Sequence, residues 1–387
     1  MSDHHTVFVT FGTRPEAIKM APVVLELQRR RTFQVITCLT GQHREMLDQV
    51  IKAFSLPVDY DLKIMRERQT LGHITSAVLN GIDPLLEATK PDLVMVHGDT
   101  TTTFAAALAA FYRMIPVAHV EAGLRTDNIY NPYPEEMNRR LADRLAEVFY
   151  APTQAAAEAL LHEGVDPARI LVTGNTVIDS LLATAEATPP AWEPEIARVL
   201  DRPGPKVLVT VHRRESWGAP MERVAQAIRQ VCTELPSTTF IFPIHLNPVV
   251  RKTFRSVLGQ TPQVVFTEPL PYRSFVHLMK AVDVVITDSG GIQEEAPTLG
   301  KPVLVMRDTT ERPEGIQAGT AKLVGTDDAI VTRELLLLLT DGEAYKQMAN
   351  AINPYGDGRA AVRIADHLEH RLGLRSEAAE AFSTAHL

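Results

Sequence analysis

Residues 282–305, VDVVITDSGGIQEEAPTLGKPVLV, decide the architecture. The apolar run 282–287 reads as a buried parallel strand. It empties into Asp288-Ser289-Gly290-Gly291, and a short helix then begins. Ser289 or Asp288 can cap that helix, and the two glycines let backbone N–H groups come close to a ligand. A strand, a glycine turn and a helix N-terminus together form an anion cradle, with donors and dipole aimed at negative charge. Glu294 and Glu295 fall in the first turns of the helix, where a carboxylate competes with a bound phosphate. At least one is therefore expected to point elsewhere, with ribose hydroxyls as a natural target. A diphosphate nucleotide fits this pattern; an ordinary glycine turn of an α/β domain is the alternative for the segment taken alone.

Outward from this stretch, short apolar runs alternate with amphipathic segments, which predicts α/β domains with parallel sheets. Strands are predicted at 7–11, 34–39, 93–96, 117–120, 148–150 and 170–172, with helices starting near Pro15, Arg44, Thr101, Pro134 and Thr153. The proline-rich segment 188–205 breaks the composition. A second series of strands follows at 206–211, 239–242, 264–266, 282–287, 303–305 and 321–324. The expected architecture is two Rossmann-like domains with a central cleft, since ligands bind beyond the carboxyl ends of such strands. The first domain covers 1–173, with a helix at about 360–375 packing back on it, and the second covers 174–359. The tail 376–387 is small, polar and expected to be loose.

The chain has 387 residues, 45% hydrophobic and 22% charged, as in a globular protein of two ordinary domains. A net charge of −8 argues against a nucleic-acid partner. No apolar run reaches membrane-spanning length and no signal peptide is read, so no membrane partner is expected. Cys38 and Cys232 read as buried small hydrophobes in a reducing, cytoplasmic compartment. The thirteen histidines are scattered without HExxH or Cys/His spacing, so no metal site is predicted. No GxSxG follows a strand, which argues against a serine nucleophile.

Three acids stand out in the first half. Asp99 follows strand 93–96 in HGDTTTTF, Glu121 follows strand 117–120 in HVEAGLRT, and Glu135 opens a helix in NPYPEEMNRR. Asp99 and Glu121 are one strand-helix-strand step apart, which puts both at the same edge of neighbouring strands. Two carboxylates there can divide proton removal from proton delivery. Helix capping by Asp99 and first-turn placement of Glu135 are the structural alternatives; Glu121 has none as good.

The first βα turn, Phe11-Gly12-Thr13-Arg14-Pro15-Glu16, is not GxGxxG, and no acidic residue ends a second strand in the expected place. No dinucleotide cofactor is therefore predicted. Arg14 and Lys19 are read as cations for a leaving phosphate, or else as ordinary basic residues of an exposed helix. Val211-His212-Arg213-Arg214-Glu215-Ser216 plays the matching part in the second domain, at a strand's carboxyl end. The loop from Arg307 to Pro313 is a further basic candidate, with a loop salt bridge as its alternative.

The motifs FGTRPEAIKMAPV, GQHREMLDQV, HGDTTTT, HVEAGLRT, PEEMNRR, GNTVIDS, VHRRES, TDSGGIQEEAPTLGKPVLVMRDTTERPE and NPYGDG occur in this order. Together they resemble the non-hydrolysing UDP-N-acetylglucosamine 2-epimerases, from about Phe8 to Gly358. The resemblance implies a GT-B-type fold and reversible epimerisation between UDP-N-acetylglucosamine and UDP-N-acetylmannosamine. It also implies elimination and re-addition of UDP through a glycal, without a nicotinamide or other cofactor. Asp99, Glu121 and Glu135 match the family's catalytic carboxylates, and His212, Arg14 and Lys19 match residues near the diphosphate. Ser289, Gly290 and Gly291 would hold phosphate, Glu295 the ribose hydroxyls and Arg312 the nucleotide. Phe275, with backbone around Leu270, would face uracil; some relatives carry a polar residue at the Leu270 position.

Bacterial relatives also bind a second UDP-N-acetylglucosamine as an activator. The matching positions are Gln42, Glu45, Arg68, Glu136, Arg213 and His245, with Glu45 standing where some relatives have glutamine. The family is usually homodimeric. Rivals at this point are an epimerase of another UDP-sugar, a glycosyltransferase using the same donor with an acceptor, a hydrolysing relative and a non-catalytic nucleotide-sugar sensor. A hydrolysing relative usually carries a kinase domain, for which 387 residues leave no room.

Overall fold

A computed structural model describes residues 4–41, 44–66, 69–126 and 128–384, without the side chains of residues 44–46 and 215. Two compact units divide the chain: Met1–Ser180 with Tyr355–Leu387, and Leu181–Pro354. The sequence reading put these divisions at 173/174 and 359/360.

The first unit runs β1 (His5–Phe11), α1 (Arg14–Arg29), β2 (Phe33–Leu39), α2 (Arg44–Phe54), β3 (Tyr60–Asp61), α3 (Leu71–Thr89) and β4 (Leu93–His97). It continues with α4 (Thr101–Tyr112), β5 (Val117–Val120), α5 (Glu135–Leu145), β6 (Val148–Ala151), α6 (Gln154–His162), β7 (Ile170–Val172) and α7 (Thr176–Glu186), which crosses the division. Its seven strands are parallel, in the order β3-β2-β1-β4-β5-β6-β7. The winding direction reverses between β1 and β4, the crevice where ligands of doubly wound sheets bind. Strands β4, β5 and β6 are buried at every position, as a sheet covered on both faces requires. Helix α4 packs closely because Ala105, Ala106, Ala107, Ala109 and Ala110 are all buried, against a core of Phe8, Val94, Val96, Val117 and Phe149.

The second unit contains α8 (Pro194–Leu200), β8 (Lys206–Thr210), α9 (Ala219–Glu234), β9 (Thr239–Pro243), α10 (Pro248–Leu258), β10 (Val264–Thr267) and α11 (Tyr272–Ala281). After these come β11 (Val284–Thr287), α12 (Gly290–Thr298), β12 (Val303–Val305), α13 (Pro313–Gln317), β13 (Ala321–Leu323), α14 (Asp328–Thr340) and α15 (Gly342–Ala349). Its six strands are parallel in the order β10-β9-β8-β11-β12-β13, so the reversal falls between β8 and β11. Val207, Val209, Phe240, Phe242, Ile286 and Leu304 form its centre. Two Rossmann-like α/β units are thus present, the fold content of the GT-B type.

Helix α16 (Ala360–Arg371) returns to the first unit and lies against α1. Asp179 accepts from Ala360 N and Ala361 N, at 3.2 and 2.8 Å, and Arg30 pairs with Asp366 and Glu369. Burial pushes the Asp179 carboxyl up to about 6 despite those two amides. Phe382 N donates to Val172 O, so the tail expected to be loose is anchored at that residue.

Three local expectations differ from the structure. Strand 282–287 starts two residues later, at Val284, because Val282 caps α11. The two-residue edge strand β3 lacks an apolar run long enough to read. The proline-rich 188–205 contains α8, with Pro194 at its first position, where a missing N–H costs nothing. No helix among the described residues is long and apolar enough to cross a membrane, and both cysteines are buried and free.

Candidate active site

At the reversal in the first unit, Glu16 joins the two turns. One carboxylate oxygen accepts from Gly12 N (3.0 Å) and Thr13 N (2.8 Å); the other accepts from Thr100 Oγ1 (2.6 Å) and Thr103 Oγ1 (3.3 Å). Thr13 and Glu16 form a capping box on α1, and Thr100 caps α4 through Thr103 N. The amides after β1 are therefore already taken by a buried carboxylate. The sequence reading passed over Glu16, although Thr13-Arg14-Pro15-Glu16 carries the T-x-x-E signature.

Asp99 and Glu121 do sit at the carboxyl ends of adjacent strands β4 and β5. Asp99 is partly exposed; its carboxylate accepts from Arg139 Nη2 at 2.5 Å and its carbonyl from Asn138 Nδ2 at 3.0 Å. It does not cap α4, which Thr100 does. Glu121 is buried and adopts φ of 63°, a left-handed conformation that costs a non-glycine residue about 1–2 kcal/mol. Such strain concentrates at functional positions. Its carboxylate is paired with Lys19, and His97 Nε2 lies 3.4 Å away. His97 is itself buried, a neighbour the sequence reading missed. Glu135 opens α5, partly exposed, and makes no hydrogen bond or ion pair among the described residues. Arg14 is partly buried at the first position of α1.

In the second unit Asp288 is fully buried and spans the equivalent reversal. It accepts from His212 N at 2.9 Å and Arg213 N at 2.8 Å, and His212 Nδ1 lies 3.1 Å from it. This fixes the His212 ring, which is 42% exposed, with Nε2 as the nitrogen left for a ligand. Asp288 is thus not the cap of α12, one of the two options read from sequence. Ser289 holds the N-cap position, yet its side chain makes no capping bond.

No side chain, Glu294 and Glu295 included, caps the N-terminus of α12. Glu294 turns to Arg312, and Glu295 receives Tyr272 OH at 3.4 Å. Gly290 and Gly291 need their missing side chains neither for conformation nor for packing: a Cβ on Gly290 would come no closer than 3.7 Å to another atom, and on Gly291 no closer than 3.9 Å. What the glycines leave is open access to backbone donors. Leu270 and Phe275, before and on α11, are both partly buried.

The carboxylate of Glu311 holds two of the basic residues around this helix in place. Glu311 takes Arg307 at 3.0 Å and Arg213 at 3.5 Å. Burial alone pushes its carboxyl up, but Arg307, Arg213 and Arg312 hold it at about 2. The His245 ring stacks on His212 at 5.9 Å between centroids, and burial with the neighbouring His212 pushes its pKa down. Glu136 is buried in the first unit, accepting from Thr126 N and Arg140 Nε. Gln42 and Arg68 lie outside the described residues, as does the side chain of Glu45. No cluster suited to a metal ion occurs among the described residues.

A family model described as UDP-N-acetylglucosamine 2-epimerase matches residues 25–369. The chain is 49% identical to the UDP-N-acetylglucosamine 2-epimerase of Bacillus subtilis over 379 residues, 97% of this chain and 98% of that protein. A solved Listeria monocytogenes chain, 46% identical, gives a TM-score of 0.92 over 98% of this chain and 100% of its own length. The Neisseria meningitidis UDP-GlcNAc 2-epimerase bound to UDP-GlcNAc is also 46% identical, with a TM-score of 0.84 over 95% of this chain and 100% of that one. With the motifs, both sheets and nearly the full length in agreement, the chain belongs to the UDP-N-acetylglucosamine 2-epimerase family of isomerases.

Proposed function

We propose that this chain interconverts UDP-N-acetylglucosamine and UDP-N-acetylmannosamine by inverting C2 of the sugar. The observation that carries this is the uncapped N-terminus of α12, where Asp288 binds the turn after β8, Glu294 pairs with Arg312, Glu295 receives Tyr272 OH and two glycines leave room beside the backbone. A Neisseria relative bound to UDP-GlcNAc supports a nucleotide diphosphate as the ligand class.

The C2 hydrogen is not beside a carbonyl, so direct abstraction is very hard. UDP leaves C1 with the bonding electrons while a carboxylate takes the C2 proton, which leaves a C1=C2 glycal. UDP then adds back at C1 as C2 is protonated on the other face. Ser289, whose amide is taken by Thr287 Oγ1, offers its hydroxyl and Gly290 and Gly291 their amides to phosphate; Glu295 holds the ribose hydroxyls, Arg312 the nucleotide, and Phe275 with backbone near Leu270 the uracil. His212, Arg14 and Lys19 offset the charge of departing UDP. Asp99, Glu121 and Glu135 share the proton steps. No hydride carrier enters this balance.

We also read a second UDP-N-acetylglucosamine as an activator at Gln42, Glu45, Arg68, Glu136, Arg213 and His245, in a cytoplasmic homodimer. A reverse reaction at full rate from pure UDP-N-acetylmannosamine would rule the activator out.

The test of the main reading is proton NMR of UDP-N-acetylglucosamine with the enzyme in heavy water, with neither nicotinamide nor acceptor added. Deuterium at C2 and a growing manno isomer are expected. Asp99→Asn should lower both by about 10³-fold while substrate still binds. An unchanged sugar with wild-type enzyme would leave a glycosyltransferase or a sensor as the better reading.

A further inference from the structure

Helix α5 carries one of the three proposed proton-handling positions, binds the second and anchors residues on either side of the third. Glu135 is its first residue, and one turn on, Asn138 and Arg139 hold the carbonyl and carboxylate of Asp99. A further turn on, Asp143 reaches under the sheet edge. Its Oδ1 lies 2.6 Å from His119 Nδ1, and its Oδ2 accepts from Gly123 N at 3.4 Å and from Arg125 Nη2 at 2.7 Å. His119 lies on β5, two residues before Glu121. Its Nε2 is 2.7 Å from the carbonyl of Gly98, the residue before Asp99. That carbonyl can only accept, so Nε2 carries a hydrogen and the ring orientation is fixed.

The His119 and Asp143 side chains are 0% and 2% exposed, so neither can touch a substrate. Stability is a poor reason to keep them. Desolvating a buried ion pair costs as much as the pairing returns, and well-packed apolar residues commonly do as well. What apolar residues cannot do is bond the Gly98 carbonyl and the Gly123 amide at once. Gly123 has no latitude of its own, because a Cβ there would lie 2.2 Å from Ala156 O. The turn after β5 is therefore pinned from the α6 side by packing and from the α5 side by Asp143.

We propose that His119 and Asp143 are positioning residues, which set the separation of Asp99, Glu121 and Glu135 by tying both acid-bearing turns to α5. The inference rests on the preceding reading that these acids move the protons. Misplacing a reacting group by an ångström costs a rate far more than it costs binding. A kcat loss at constant nucleotide affinity is the signature of positioning, which general destabilisation would not give.

The experiment compares wild type, Asp143→Asn, His119→Phe and Asp99→Asn by kcat, KM, UDP dissociation constant and far-UV circular dichroism. His119→Phe keeps a ring and removes both bonds; Asp143→Asn keeps shape and is the gentler change. We expect kcat to fall about 100-fold in His119→Phe and about tenfold in Asp143→Asn, with folded spectra and UDP affinity within about twofold of wild type. Folded variants that turn over at the wild-type rate would overturn the proposal. Equal losses of kcat and UDP affinity, or two variants that do not fold, would make the pair a stability element and overturn it too. Full activity in Asp99→Asn would instead remove the reading of the acids on which the proposal rests.

Discussion

The two units solve the same topological problem with a buried carboxylate and reach opposite results. Between β1 and β4, Glu16 consumes the amides after β1, while Thr13 and Thr100 close both helix starts. Between β8 and β11, Asp288 consumes the amides after β8, and the helix after β11 is left without a side-chain cap. A reversal point in a parallel sheet is only a place where backbone donors gather. Which donors remain for a ligand depends on where the protein spends its own carboxylates. The first unit spends them on its backbone and keeps other acids at the edge, Asp99 beside Arg139 and Glu121 beside Lys19. The second pairs its cations with Glu294 and Glu311 and leaves the start of α12 uncapped.

The largest test of this contrast is to fill the bare cradle. Gly291→Val should weaken UDP binding about 30-fold, or roughly 2 kcal/mol, with little change in thermal midpoint because nothing lies within 3.9 Å of the added carbon. An unchanged UDP dissociation constant by calorimetry would place the phosphate elsewhere. Next in size, Glu16→Gln keeps volume but cannot accept at all four donors. It should cost the first unit about 1–2 kcal/mol and leave UDP affinity intact. A loss of UDP affinity equal to that of Gly291→Val would erase the distinction between the two reversals.

The smallest effect is on pH dependence and uses a difference in reporters. Trp192 and Trp217 both lie in the second unit, so tryptophan fluorescence follows that unit alone. Glu311 is held at about 2, so its contribution is complete above the ordinary 4.5 and is lost as pH falls from there toward 2. Fluorescence should accordingly stay flat down to about pH 4.5. In the first unit, burial depresses His367 to about 4, so it charges more readily when unfolded and its contribution is lost as pH falls from 6.5 toward 4. Asp179, raised to about 6, has the opposite sign: the native state holds the extra proton, and stability is gained as pH falls from about 6 toward 3.8. Both groups hold α16, His367 through Tyr150 OH and Asp179 through its two amides. Hydrogen exchange of α16 amides, corrected for intrinsic rate, should stay nearly level between pH 6 and 4. In Asp179→Asn it should rise by up to about 40-fold as pH falls. A level profile in that variant would contradict the offset.

Much of the fold, though little of this contrast, could be read from the sequence. Parallel strands buried on both faces announce themselves as unbroken apolar runs, which is why β5, β7 and β12 were located to the residue. The spacing of Asp99 and Glu121 identified a shared sheet edge because one strand-helix-strand step fixes it. What spacing does not carry is the direction of a side chain. Asp288 looked like a cap and instead reaches across to the neighbouring turn, a partner 75 residues away. The left-handed Glu121 and the His119–Asp143 pair were likewise invisible, since both depend on contacts between elements. Glu16 is different: its capping box was written locally and was overlooked.

The return of α16 to the first unit has a consequence during synthesis. The second unit is continuous in the chain and emerges complete from the ribosome before Tyr355 does. The first unit must wait, its Arg30 without Asp366 and Glu369 and its Asp179 without the amides of Ala360 and Ala361, while the whole of Leu181–Pro354 is translated behind it. Throughout that interval the half-built unit offers an unfilled apolar seat to chaperones, and a stop codon introduced near residue 354 would make that exposed state permanent.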